Sequence, residues 1–164
     1  MSSTWKLETA GAEETRALGR ALGRSLQGGE CLALDGELGS GKTTLVQGVL
    51  EGLGGRERAA SPTYLLCHEY EARLPVLHLD AWFQERLEAL LEEGLAERFR
   101  PPAVVLVEWA GRIAAWLPAD RLALRLEAPA PGDRRRLRVE ARGERARGWL
   151  EAWRQAWESE ANPG

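Results

Sequence analysis

The 164-residue chain has only two cysteines, Cys31 and Cys67. Two thiols so far apart supply neither a disulfide framework nor a zinc ligand set, so both read as small buried hydrophobes. Long apolar runs are missing as well. Nothing approaches the roughly 18 residues that a membrane-spanning helix needs. The first residues, Met1 to Lys6, hold no apolar signal-peptide core. These absences point to a cytoplasmic chain. An excess of positive charge is also lacking, with a formal net charge of -3 and a pI of about 5.6. That balance argues against direct nucleic-acid binding by the isolated chain, although local basic patches stay open. Lysine itself is scarce: of 22 basic residues only Lys6 and Lys42 are lysines. In so arginine-rich a chain, Lys42 stands out.

What is present is an ordinary globular composition. Apolar residues at 44% and charged residues at 29% exclude disordered, collagen-like and fibrous classes. The length suits one domain over residues 1–164, because cores divide only above roughly 250 residues. Ser159 to Gly164 reads as a frayed tail.

Periodicity predicts an alternating α/β unit. Thr4 to Glu8 alternates weakly, as an edge strand does, and Glu13 to Leu26 places Leu18, Ala21, Leu22 and Ser25 on one helical face before Gly28 and Gly29. Cys31 to Leu34 is a continuous apolar run, the pattern of a strand buried on both faces. Thr43 to Leu53 reads as a helix, while Tyr64–Tyr70 and Pro75–Leu79 suit a hairpin. Gln84 to Phe99 predicts one or two helices interrupted near Gly94, ended by Pro101-Pro102. Ala103 to Val107 is a second buried strand. Arg121–Glu127 and Arg135–Glu140 alternate around a proline-rich turn, and Glu144–Trp157 closes as a helix. Trp149, Trp153 and Trp157 recur every four residues along that helix, a stripe suited to covering the sheet. The expected architecture is a three-layer P-loop-type fold: a mostly parallel central sheet with antiparallel additions, flanked by helices.

The chemistry centres on Gly36-Glu37-Leu38-Gly39-Ser40-Gly41-Lys42-Thr43, which satisfies G-x-x-x-x-G-K-[ST] between a buried strand and a helix. Glycines let successive N–H groups curl around phosphate oxygens at the helix's positive end. Lys42 would reach the β- and γ-phosphates, and Thr43 offers a hydroxyl to Mg²⁺. The nucleotide contacts therefore run over Glu37, Leu38, Gly39, Ser40, Gly41, Lys42, Thr43 and Thr44. ATP and Mg²⁺ are the expected ligands. Two strand-end carboxylates, Asp80 and Glu108, follow apolar runs and emerge where ligands bind in open α/β sheets. Either is a candidate to hold Mg²⁺ or its waters. Either carboxylate suits the task of orienting the attacking water, and sequence does not choose between them. Trp109, beside Glu108, suits packing over the nucleotide or a lid. His68 and His78 read as strand residues with satisfied nitrogens.

Four landmarks occur in order: Gly39-Ser40-Gly41-Lys42-Thr43-Thr44, Ser61-Pro62-Thr63-Tyr64, His78-Leu79-Asp80 and Glu108-Trp109. Together, from about Glu13 to Arg138, they resemble the bacterial TsaE (YjeE) family, the small ATPase of threonylcarbamoyl-adenosine tRNA modification. The resemblance implies Mg²⁺-dependent ATP hydrolysis by a subunit acting on the TsaB and TsaD proteins, with tRNA reached only through that complex. It implies catalytic roles for Lys42, Asp80 and Glu108, an Mg²⁺-binding role for Thr43 and Glu108, and a switch role for Thr63. Pro62 stiffens the backbone and biases Ser61 to an extended conformation, which would leave the Thr63 hydroxyl free for phosphate, water or metal. It also implies that the segment Thr9 to Thr15, including Ala12, passes near the adenine. An arginine near the nucleotide corresponds to Arg134 or Arg135. The chain departs from the family where Ala81-Trp82-Phe83 stands in place of Leu-Tyr-Arg, and where Ala110 replaces a proline. Two other classes share the cradle. A small-molecule kinase would draw lid arginines from Arg86, Arg98 or Arg100, and a nucleotide-dependent binding switch would use the carboxylates for binding alone.

Overall fold

Strands that read as unbroken apolar runs occupy the middle of the sheet, and strands that alternate form its flank. A computed structural model describes residues 3–56 and 66–161. The Ser61-Pro62-Thr63-Tyr64 segment, with the switch expected at Thr63, lies outside the described residues. Seven strands form one sheet: β1 (Thr4–Thr9), β2 (Cys31–Asp35), β3 (Cys67–Tyr70), β4 (Val76–Asp80), β5 (Val104–Glu108), β6 (Arg121–Glu127) and β7 (Arg135–Arg142). Their spatial order is β1-β7-β6-β2-β5-β4-β3. The run β6-β2-β5-β4 is parallel, and β1, β7 and β3 attach antiparallel at the two sides.

Among the described residues four α-helices flank it: α1 (Ala12–Ser25), α2 (Lys42–Gly52), α3 (Gln84–Glu92) and α4 (Glu144–Ala161). Central strands are covered twice. Leu32, Leu34, Val104 and Leu106 pack with α1, α2 and α4, whereas Cys31, Ala33, Val105 and Val107 pack with α3 and a 3-10 helix, Ala110–Trp116. Burial on both faces is why β2 and β5 lack alternation. Burial pushes the Cys31 thiol up to about 12. Cys67, expected to be buried, is only half-buried because β3 is the edge strand, and desolvation raises its thiol to about 11.

α1 and α2 cross at unusually short range. A Cβ built on Gly19 would lie 2.3 Å from the Leu45 carbonyl oxygen, and one on Gly48 would lie 2.1 Å from that of Arg16. Gly23 and Gly52 repeat the pattern one turn on, at 2.2 Å from the carbonyls of Val49 and Arg20. Residues spaced by four lie on one helix face, so four glycines bring two backbones into direct contact. Arg16 clips the crossing, donating from Nε and Nη2 to Glu51 at 2.5 and 2.7 Å.

α4 lies on the same layer. Trp153 is fully buried and its indole N–H donates to the Leu18 carbonyl at 3.0 Å, while Trp149 and Trp157 pack at the rim of the core. The stripe covers the sheet as its spacing suggested. The helix continues through Ala161, into the segment expected to fray, where Glu160 pairs with Arg24 of α1. The predicted interruption at Gly94 is present: φ is +132° there, and a 3-10 turn, Leu95–Arg98, follows.

Candidate functional site

β2 ends at Asp35, and the chain enters a loop that delivers it to α2. Gly36 has a φ of +153°, and a Cβ there would meet the Leu126 carbonyl oxygen at 2.5 Å and Ser40 Oγ at 2.7 Å. Gly41, with φ of +105°, turns the chain into the helix. α2 has no side-chain cap and no acidic residue in its first turn. Its first N–H groups and the positive end of its dipole are therefore left to an external anion.

Lys42 opens the helix and is buried, with its ammonium donating to the Gly36 carbonyl at 2.5 Å. The ammonium also sits 4.0 Å from the centroid of the Trp109 ring, a cation–π contact. Desolvation pulls Lys42 below the ordinary lysine range, and the carboxylates of Glu108, Asp80, Asp35 and Glu37 pull it the other way.

Asp80 and Glu108 are the last residues of β4 and β5 and stand opposite each other in the parallel register. They are only 3% and 4% exposed. Asp80 Oδ1 accepts the Trp82 backbone N–H at 2.9 Å, and Glu108 Oε2 lies 2.7 Å from His78 Nε2. Trp109 holds a left-handed conformation, φ +57°, that turns its ring back over the loop. There it meets Trp82 edge to face at 4.8 Å.

These groups border one cavity of about 300 Å³. Leu38, Gly39, Gly41, Lys42, Thr43 and Thr44 form its floor, Asp80, Glu108 and Trp109 one wall, and Ala12 and Arg135 another. The two candidate arginines part company: Arg134, just before β7, pairs with Glu8, whereas Arg135 borders the cavity and donates to the Gly39 carbonyl at 2.9 Å.

Glu37 and Ser40, expected among the nucleotide contacts, do not border this cavity; they line an adjacent hollow with Arg125 and Pro129. A loop that curls its amides inward turns these side chains outward or behind it. Ser40 Oγ is buried against Gly36, with no hydrogen-bond partner among the described residues. Of the arginines named for a kinase lid, Arg98 pairs with Glu69 and Arg86 lies over Phe83. Thr15, at the end of the segment expected near the adenine, borders the cavity from α1, and sequence reasoning missed Asp133, which borders it from the turn before β7. His78 is the strand residue expected, with Nε2 engaged by Glu108, but its Nδ1 has no partner among the described residues.

The donor set fits a magnesium nucleotide. Two buried carboxylates and a threonine at a helix start are the hard oxygen ligands that Mg²⁺ accepts alongside phosphate. An uncapped helix and a buried ammonium whose hydrogen bond goes to a neutral carbonyl suit the phosphates themselves.

A glycine-turned loop between a central parallel strand and a helix, facing carboxylates on the neighbouring strand ends, defines the P-loop NTPase class. Within that class the family model for threonylcarbamoyl adenosine biosynthesis protein TsaE matches residues 9–137, and the chain belongs to this family. The tRNA threonylcarbamoyladenosine biosynthesis protein TsaE of Bacillus subtilis is 40% identical over 119 residues, 71% of this chain and 73% of the relative. Its counterpart in Nostoc is 43% identical over 115 residues, 66% of this chain and 69% of the relative. The crystal structure of Bacillus subtilis YdiB superposes with a TM-score of 0.79 at 32% identity, covering 94% of this chain and 97% of that one.

Proposed function

We propose that the chain is a magnesium-dependent ATPase acting in tRNA threonylcarbamoyladenosine biosynthesis as a subunit that works on the TsaB–TsaD complex. The observation that carries this reading is the convergence of Lys42, Thr43, Asp80 and Glu108 on one cavity beside the uncapped start of α2. In this reading Lys42 leaves the Gly36 carbonyl for the β- and γ-phosphates, exchanging a neutral acceptor for an anionic one. The loop amides hold the phosphates, Arg135 and the start of α1 near Ala12 border the nucleoside end, and Trp109 closes over the top. Thr43 and Glu108 hold Mg²⁺, which when bound neutralises charge developing on the transferred phosphoryl group. Asp80 remains to orient the attacking water, its Oδ1 already held by Trp82. The partner complex and the tRNA substrate place the work in the cytoplasm.

Phosphate release from Mg·ATP by the purified chain, alone and with TsaB–TsaD, tests the proposal. Slow basal release that changes when the complex is added supports it. No release and no association with the complex refutes it. Appearance of a phosphorylated small-molecule acceptor would move the protein to the kinases.

A further inference from the structure

We propose that His78 is a positioning residue for Glu108, fixing one carboxylate oxygen so that the other is presented to the cation. This rests on the reading that Glu108 serves Mg²⁺. His78 and Asp80 are two residues apart on β4 and share a face, and β4 is the parallel neighbour of β5, which ends at Glu108. His78 is 0% exposed, and its Nε2 lies 2.7 Å from Glu108 Oε2. An ionised carboxylate only accepts, so Nε2 is the nitrogen that donates to Oε2. Nδ1 has no partner among the described residues, so a proton placed there would be a buried N–H left unsatisfied.

The consequence is geometric. A glutamate has three side-chain torsions, and at the end of a strand nothing in its backbone fixes them. Holding Oε2 removes that freedom and leaves Oε1 as the oxygen available to the cavity that Glu108 borders. An imidazole that merely filled the core would be replaceable by a similar apolar side chain without affecting metal use. An imidazole that orients a metal-binding group would not be, and such supporting contacts are worth about 10–100-fold in metal affinity.

The test uses the full chain and a fluorescent ATP analogue, titrated with Mg²⁺ to find the concentration that half-maximally tightens binding. His78→Leu should raise that concentration about 10–100-fold, with metal-free analogue affinity changed by no more than about twofold. His78→Gln, which keeps an N–H near the Nε2 position, should recover most of the loss. In a Glu108→Ala background, His78→Leu should add nothing. An unchanged magnesium requirement in His78→Leu, with a raised one in Glu108→Ala, overturns the positioning role and leaves the Glu108 reading standing. No effect in Glu108→Ala overturns the metal reading, and this proposal with it. Should His78→Leu lose its cooperative melt, ¹⁵N imidazole spectra of the unaltered protein decide. Only two histidines are present, so the signals assign readily. An Nε2–H tautomer perturbed by Mg²⁺ and analogue upholds the proposal, and an Nδ1–H tautomer refutes it.

Discussion

Replacing glycine by alanine inside a helix ordinarily stabilises it, and this protein should show the opposite sign at one helix crossing. At Gly148, on the exposed side of α4, an added Cβ meets nothing within 4 Å. Gly148→Ala should therefore gain up to about 1 kcal/mol from helix propensity alone. At Gly48 the same atom would lie 2.1 Å from the Arg16 carbonyl oxygen and 3.0 Å from the Arg20 nitrogen. Both obstacles are backbone, so no side chain can rotate away, and α1 and α2 must part by roughly 1 Å, forfeiting a quarter to a half of each dispersion contact across the crossing. Taking overpacking at about 3 kcal/mol and the propensity gain at about 1, Gly48→Ala should lose about 2 kcal/mol net. Urea unfolding of the two variants, compared at equal m-value, measures both. Because α2 carries Lys42 and Thr43, nucleotide affinity should fall in Gly48→Ala and hold in Gly148→Ala. A Gly48→Ala protein as stable as the parent would refute the backbone-contact account of this crossing.

Three further outcomes follow from the same packing and charge arguments. Lys42→Ala should abolish measurable ATP binding or hydrolysis while leaving the urea midpoint near that of the parent; parental hydrolysis would defeat the P-loop assignment. Trp153→Phe removes the hydrogen bond to the Leu18 carbonyl and part of a fully buried ring, and should cost about 1–3 kcal/mol in the same unfolding assay. Glu51 is held below the usual carboxylate range chiefly by the hydrogen bond from Arg16. Its contribution is therefore present above the ordinary carboxylate pKa and lost as pH falls through the depressed folded value. Both partners are partly exposed, so Glu51→Gln should cost no more than about 1 kcal/mol near pH 7, and the difference from the parent should vanish as acid protonates Glu51.

Much of the fold was legible because burial writes itself into composition. β2 and β5 are apolar without alternation since both faces are covered, and β6 and β7 alternate since one face carries arginines. The cradle was legible because its spacing is imposed by a ligand's size. Which loop residues face the cavity was not, since a consensus spacing does not say that Ser40 turns behind Gly36. That Arg135 borders the cavity while Arg134 turns to Glu8 was not, since the run of three arginines does not show where the strand begins. The partner of His78 was not legible because it lies 30 residues away on another strand, and only the parallel register brings them together. Gly19, Gly23, Gly48 and Gly52 lower helix propensity when each helix is read alone, and their reason exists only in the pair.

The scarcity of lysine has a practical side. Lys6 is exposed on β1, an edge strand separated from β2 by β7 and β6, whereas Lys42 is buried with its amine engaged by a carbonyl and an indole face. An amine-directed dye or resin should therefore react at Lys6 and spare Lys42 in the folded protein. Arginine, which supplies the remaining positive charge, is inert to such reagents. The chain can thus be tethered or labelled by ordinary lysine chemistry at Lys6, and a nucleotide filling the cavity that Lys42 borders should protect Lys42 further.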